Sequence, residues 1–217
     1  MTKSQDWFNQ LRISYEMGEL NDGDLHHDPF EQFGNWLNQA IAKEVPEPNA
    51  FVLSTVNSNL QPESRTVLLK SFDEKGFIFF TNYGSKKAQS IAKNSKVALN
   101  FLWLPIHRQV IIEGVAEKIS KEESESYFKT RPIASQLGAW TSPQSEFIAD
   151  RETLEKRAEK YSEQFKDAVP MPEFWGGFLV KPQLIEFWQG RPSRLHDRFR
   201  YTKDLTGKNW TINRVAP

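Results

Sequence analysis

The sequence predicts a mostly β protein with flanking helices, an α+β fold built on an antiparallel sheet or barrel. Between residues 50 and 119, short runs rich in β-branched and aromatic residues alternate with turn signals. Helix-capping patterns at Asp28, Ser85 and Ser120 place helices among the strands. Aromatic residues make up 13% of the 217-residue chain, enough for a large aromatic core, an aromatic-lined pocket or an oligomer interface.

Residues 1–27 are polar and irregular, with a turn at NDGD, and read as an N-terminal arm ahead of a single domain over 28–217. Within the arm, Arg12 and Tyr15 share a face if the segment is helical. A helix starts after Asp28, with Pro29 at its first position, Glu31 as the second half of a capping box, and a stripe of Phe30, Phe33, Leu37 and Ile41. Strands follow at 50–57, 64–72 and 77–82. In RTVLLK, Arg65, Val67 and Leu69 share one face while Thr66, Leu68 and Lys70 share the other, so Arg65 and Lys70 serve different groups. A short helix opens at Ser85. Two more strands run over 96–104 and 108–119, the second starting near Gln109, and a capped helix starts at Ser120. GAWTSPQSEF, over 138–147, reads as a loop containing Gln144 and Ser145, and 148–166 as a charged helix. FLVKPQLIEFWQG reads as two β segments broken at Pro182. A last short strand closes the chain.

Composition narrows the chemistry. Lys+Arg and Asp+Glu both number 28, so no global basic field points to nucleic acid. There is no cysteine, which removes thiolate catalysis and thiolate metal sites and suits a reducing cytoplasm. No apolar run approaches the ~20 residues of a membrane span. The four histidines lack carboxylates at ligand spacing, so no metal is expected.

Anion-binding patterns recur instead. Lys86 and Lys87 occupy the first turn of the helix after Ser85, where the macrodipole disfavours cations unless an anion is there; with Thr81 and Ser85 they form a candidate phosphate site, or a solvated basic turn. Tyr127 and Arg131, four apart, meet Ser135 at a helix end, where they can grip a phosphate or carboxylate or simply end an amphipathic helix. From Trp188 to Phe199, WQGRPSRLHDRF concentrates three arginines and a histidine. If extended, it puts Arg194 and His196 on one face with Arg198, and Asp197 opposite.

RTVLLK, FFTNYGSKKA, RQVIIEG, YFKTRPIASQLGAWTSPQS, PEFWGGFLVKPQLIEFWQG and RLHDRFRY occur in this order. Together they resemble the pyridoxine/pyridoxamine 5′-phosphate oxidase family over nearly the whole chain. The resemblance implies an FMN-binding split β-barrel working as a homodimer, with FMN in clefts between subunits and a C-terminal dimerisation and substrate segment. It implies oxidation of pyridoxine or pyridoxamine 5′-phosphate to pyridoxal 5′-phosphate, with O₂ reduced to H₂O₂. Carried over by motif, the FMN set is Arg65, Val67, Leu68, Lys70, Phe80, Thr81, Lys86, Lys87, Gln109, Gln144, Ser145, Trp188 and Arg198. The substrate set is Arg12, Tyr15, Lys70, Tyr127, Arg131 and Ser135, with Arg194 and His196 as the catalytic pair over the substrate ring. Two positions depart from the pattern: Ile13 stands where relatives often carry a second arginine, and Lys86 where many carry arginine, which binds phosphate bidentately. A non-catalytic FMN- or pyridoxal-phosphate-binding barrel and a related flavin reductase are the alternatives.

Overall fold

A computed structural model describes residues 10, 11 and 13–217. Nine strands form one sheet: β1 (Ala50–Val56), β2 (Pro62–Leu68), β3 (Ser71–Asp73), β4 (Gly76–Asn82), β5 (Lys96–Trp103), β6 (Arg108–Lys118), β7 (Trp175–Gln189), β8 (Asp197–Lys203) and β9 (Trp210–Arg214). Five α-helices that lie wholly within the described residues accompany them: α1 (Pro29–Ala42), α2 (Lys86–Lys93), α3 (Lys121–Thr130), α4 (Ile133–Thr141) and α5 (Arg151–Gln164). The strand order is β2-β1-β5-β6-β7-β4-β3, with β8 pairing β7 and β9 pairing β8. Among the described residues no helix is long and apolar enough to cross a membrane.

The chain divides into two compact units. One comprises the described residues up to Pro48 with Phe101–Ile111 and Leu184–Pro217; the other comprises Asn49–Asn100 and Ile112–Gln183. In the first, Phe33 on α1 packs edge-on against Phe101, and Trp36 against Phe187. In the second, Phe79 stacks on Phe178 and meets Phe51. The alternating burial of β1, β4 and β5 places these side chains inward, as the period of two requires.

Four local expectations change. Asp28 caps α1 by accepting from the Phe30 N–H, but Glu31 instead pairs with His26, leaving the capping box unformed. Ser85 precedes α2 without capping it, because its hydroxyl donates to the Asn82 carbonyl. The first residues of GAWTSPQSEF are helical: α4 resumes directly after Pro132 and runs to Thr141, since proline fits the start of a helix as well as it ends one. Finally, β7 passes unbroken through Pro182. β7 pairs β4 through residues 175–180 and β8 through residues 184–189. Pro182 falls between these two ladders, where neither calls for its N–H.

Phe79 is fully buried between Phe51 and Phe178. Phe79→Ala is expected to cost ~3–5 kcal/mol of unfolding free energy, measured by denaturant titration against wild type.

Candidate functional site

Two cavities are lined by the residues that the sequence singles out, one in each unit. The larger, of about 620 Å³, lies within the size range of cofactor sites. The end of β2 supplies Thr66, Val67 and Leu68, and Lys70 follows; Arg65 does not line the cavity. Its guanidinium donates to the Leu53 carbonyl and the Thr55 hydroxyl and pairs with Glu63. Phe80 and Thr81 come from β4 and Lys87 from the first turn of α2.

Lys87 is the centre of one wall. Its ammonium donates to Thr81 Oγ1 at 3.1 Å, Ser85 Oγ at 3.3 Å and Gln144 Oε1 at 3.0 Å. All three acceptors are neutral, and among the described residues no carboxylate pairs with it. Burial, then the nearby Arg65 cation, lowers its pKa to about 8. The adjacent Lys86 behaves differently. Its backbone N–H donates to Ser145 Oγ at 3.3 Å, while the residue lines a separate depression with Glu63 and Gln89.

The opposite wall is aromatic and cationic. Tyr127, near the end of α3, stacks on Phe80 at 4.0 Å, and Phe80 stacks on Trp175 at 5.2 Å. Arg131 lies one turn beyond Tyr127, with its guanidinium carbon 4.7 Å over the Trp175 ring. Arg131 Nη1 is buried with no hydrogen-bond partner. Burial costs this guanidinium solvation, and no acidic side chain among the described residues repays it. Ser135 on α4 completes the group. A partnerless buried donor beside Lys70, Tyr127 and Ser135 fits an anion with several oxygens. The Lys87 cluster fits a second such group, and the flat aromatic wall suits a ring system between them. The residues present therefore fit a phosphorylated flavin.

The second cavity, of about 400 Å³, is lined by Leu11, Ile13, Ser14 and Tyr15 of the arm, Trp188 at the end of β7, and Arg191, Ser193, Arg194 and His196. Arg12 lies outside the described residues. The 191–196 segment is not extended: Pro192–Arg194 forms a 3-10 turn with Ser193 and Arg194 at φ 57° and 62°. Such left-handed backbone costs non-glycine residues ~1–2 kcal/mol each. The turn brings Arg194 and His196 into one cavity by a different route from the strand geometry that the sequence suggested. It also separates them from Arg198, which makes a bidentate pair with the buried Glu186 and lines neither cavity. Tyr15 lies 5.7 Å from His196 and 5.8 Å from Trp188, ring to ring. A Cβ on Gly190 would come within 2.9 Å of the Tyr15 ring, so any other residue there would have to shift it. Burial, then Arg194, push the His196 imidazole below its usual pKa, against the pull of Asp197.

Gln109 and Ser145 line neither cavity. Sequence reasoning passed over Trp175 and Arg191. Trp175 in the PEFWGG run and Arg191 in the charged turn were visible as residue types, but only the fold shows what they face.

Lys87 sets a pH dependence. Its folded pKa of about 8 lies below its ordinary 10.5. The cost of burying the charge is therefore present below pH 8 and is relieved as pH rises toward 10.5. A bound anion favours the ammonium and raises its pKa, so phosphate affinity should fall as pH rises above 8 and binding should take up a proton. Calorimetric titration of inorganic phosphate from pH 7 to 9.5 is expected to show this in wild type and not in Lys87→Met.

Residues 37–165 match the family model described as pyridoxamine 5′-phosphate oxidase, and residues 175–217 match that of the pyridoxine 5′-phosphate oxidase C-terminal dimerisation region. The chain is 50% identical over 208 residues to a pyridoxine/pyridoxamine 5′-phosphate oxidase of Burkholderia multivorans, covering 95% of this chain and 97% of the relative. It is 53% identical over 209 residues to one from Crocosphaera subtropica, covering 95% and 98%. Among solved structures, PhzG from Burkholderia lata, in complex with tetrahydrophenazine-1-carboxylic acid, superposes with a TM-score of 0.85 at 28% identity, covering 91% of this chain and 98% of that one. A pyridoxamine 5′-phosphate oxidase-related, FMN-binding protein from Nostoc punctiforme shares the fold, with a TM-score of 0.72 at 17% identity and coverage of 89% and 100%. A helix-flanked split barrel with a C-terminal dimerisation region, this chain belongs to the pyridoxamine 5′-phosphate oxidase family.

Proposed function

We propose that the protein is an FMN-dependent oxidase of the cytoplasm that makes pyridoxal 5′-phosphate. Pyridoxine 5′-phosphate and O₂ give pyridoxal 5′-phosphate and H₂O₂; pyridoxamine 5′-phosphate, O₂ and water give the same products plus ammonia. The observation that carries the reading is the buried, partnerless Arg131 Nη1 in one cavity with Lys70, Tyr127 and Ser135. That donor set suits a phosphate monoester dianion better than a single carboxylate, since it offers two cations and two hydroxyls.

In this reading the working form is a homodimer with FMN in clefts between the subunits, and residues before 28 act as a lid. Lys87, Thr81 and Gln144 hold the flavin phosphate, while Lys86 and Ser145 brace the start of α2. Val67 and Leu68 flank the flavin. Arg65 adds positive potential next to Lys87 without touching the cavity. Gln109, Trp188 and Arg198 complete the flavin set, some of them contributed by the second subunit. FMN, when bound, supplies the acceptor for the substrate's hydride and returns the electrons to O₂. Lys70, Tyr127, Arg131 and Ser135 seat the substrate phosphate. Arg194 and His196 orient the substrate ring, and Arg12 and Tyr15 close over it.

PhzG supports a second reading, an oxidase of the same family acting on a different substrate, because it superposes closely and holds a phenazine carboxylic acid. H₂O₂ production with pyridoxamine 5′-phosphate as sole reductant separates the two; no H₂O₂ from either B6 phosphate would refute the first reading. Removing the charged contacts of Arg131 should cost ~1.5–3 kcal/mol, so Arg131→Met is expected to raise KM about 10- to 150-fold with flavin retained. Arg194→Ala should depress turnover with FMN still bound, checked by flavin absorbance alongside steady-state rates.

A further inference from the structure

The segment joining β7 to β8 also holds the arm. Five charged side chains alternate in sign from the arm through this segment to β9 and back to the arm: Glu19, Arg191, Asp197, Arg214 and Asp22. Arg191 meets Glu19 at 3.1 Å and Asp197 at 3.0 Å. Arg214 meets Asp197 at 2.9 Å and Asp22 at 3.3 Å. Leu20, only 2% exposed, sits inside this run. Its N–H donates to Asp197 at 3.1 Å and its carbonyl accepts from Arg214 at 3.4 Å. The backbone of Leu20 is thus held at both its N–H and its carbonyl. Five residues earlier, Tyr15 packs against His196 and Trp188.

Arg191 touches His196 as well. Its backbone N–H donates to His196 Nδ1 at 3.0 Å. A backbone N–H can only donate, so Nδ1 must carry a lone pair. In the neutral ring the proton is then on Nε2, the nitrogen left for a ligand. An imidazole held this way offers a donor and has no free lone pair with which to take up a proton.

We propose that Arg191 is a positioning residue: its backbone N–H fixes His196 as the Nε2–H tautomer, and its guanidinium ties Asp197 to the arm that carries Tyr15. His196 then serves as a hydrogen-bond donor to an acceptor oxygen of the substrate and not as a base. This last clause rests on the function proposed above; the tautomer and the tie to the arm do not. The Arg191–Asp197 contact, with side chains 27% and 13% exposed, carries more of the tie than the contact to Glu19, which is 61% exposed.

The test uses full-length protein without substrate. Nitrogen-15 NMR of the imidazoles at pH 8, with His196 identified by its loss in His196→Gln, is expected to show Nδ1 unprotonated and Nε2 protonated. A dominant Nδ1–H form overturns the proposal. In Arg191→Met, losing charged hydrogen bonds should speed Leu20 amide exchange by ~10-fold or more. KM for pyridoxamine 5′-phosphate should rise by a similar factor while kcat stays within about 3-fold, and Arg191→Lys should recover part of both. Wild-type exchange and KM in Arg191→Met would overturn the proposal. Should Arg191→Met not fold, Glu19→Gln gives the same readout at smaller amplitude: faster Leu20 exchange supports the tie, and unchanged exchange overturns it. Inactivity of wild type on both B6 phosphates would sink the proposed function while leaving the tautomer and exchange results to be judged on their own.

Discussion

Half-buried positive charge without a negative partner is the constraint around which the larger cavity is organised. Lys87 is desolvated among three neutral oxygens, and Arg131 keeps a buried Nη1 with nothing to donate to. A protein that needed these residues only for stability would do as well with apolar side chains of similar volume, since partly burying an unpaired charge costs solvation that nothing repays. Elsewhere the same chain pairs its buried charges. Glu186, 3% exposed, takes a bidentate contact from Arg198 and another from Arg200. The contrast supports the proposed role of the unpaired cations as ligand seats.

Local structure delivers those cations at little extra cost. Lys87 is in the first turn of α2, where the helix dipole repels it and attracts an anion. Arg131 is the residue at which α3 stops, and Pro132 starts α4 at once, so Tyr127, Arg131 and Ser135 face one space from two helices. The Trp175 ring beneath Arg131 supplies favourable contact to a guanidinium that has lost water, without neutralising it.

Much of this was legible in the sequence, and the failures have identifiable causes. The period of two in RTVLLK separates Arg65 from Thr66 and Leu68 within β2, but Val67, on the same face as Arg65, lines the cavity too, and Lys70 lies beyond the end of the strand. The i, i+4 spacing put Tyr127 and Arg131 together because α3 is a regular helix. Pro182 misled because a proline is judged against a ladder, and the gap between two ladders on β7 is a property of the sheet rather than of the local sequence. The WQGRPSRLHDRF stretch misled more instructively. Its alternation assumed extended backbone, but Ser193 and Arg194 are left-handed, which no propensity of those residues announces.

That strained turn has to be held by contacts made outside it. Left-handed serine and arginine persist only where surrounding interactions outweigh their cost. The Arg191 N–H to His196 bond spans the turn, and the Arg191 guanidinium fixes its start to Asp197 at the entry of β8. Asp197 is itself committed from the arm side by Leu20, 177 residues away in sequence, and by Arg214 on β9. Burial raises the Asp197 carboxyl, but the Leu20 and Arg214 hydrogen bonds, and then Arg191, hold it below its ordinary range. Shape at the second cavity and charge in the arm are therefore one problem. Protonating the carboxylate between Arg191 and Arg214 would weaken the contacts that anchor the turn carrying Arg194 and His196, and no window along the sequence contains all the residues that keep it ionised.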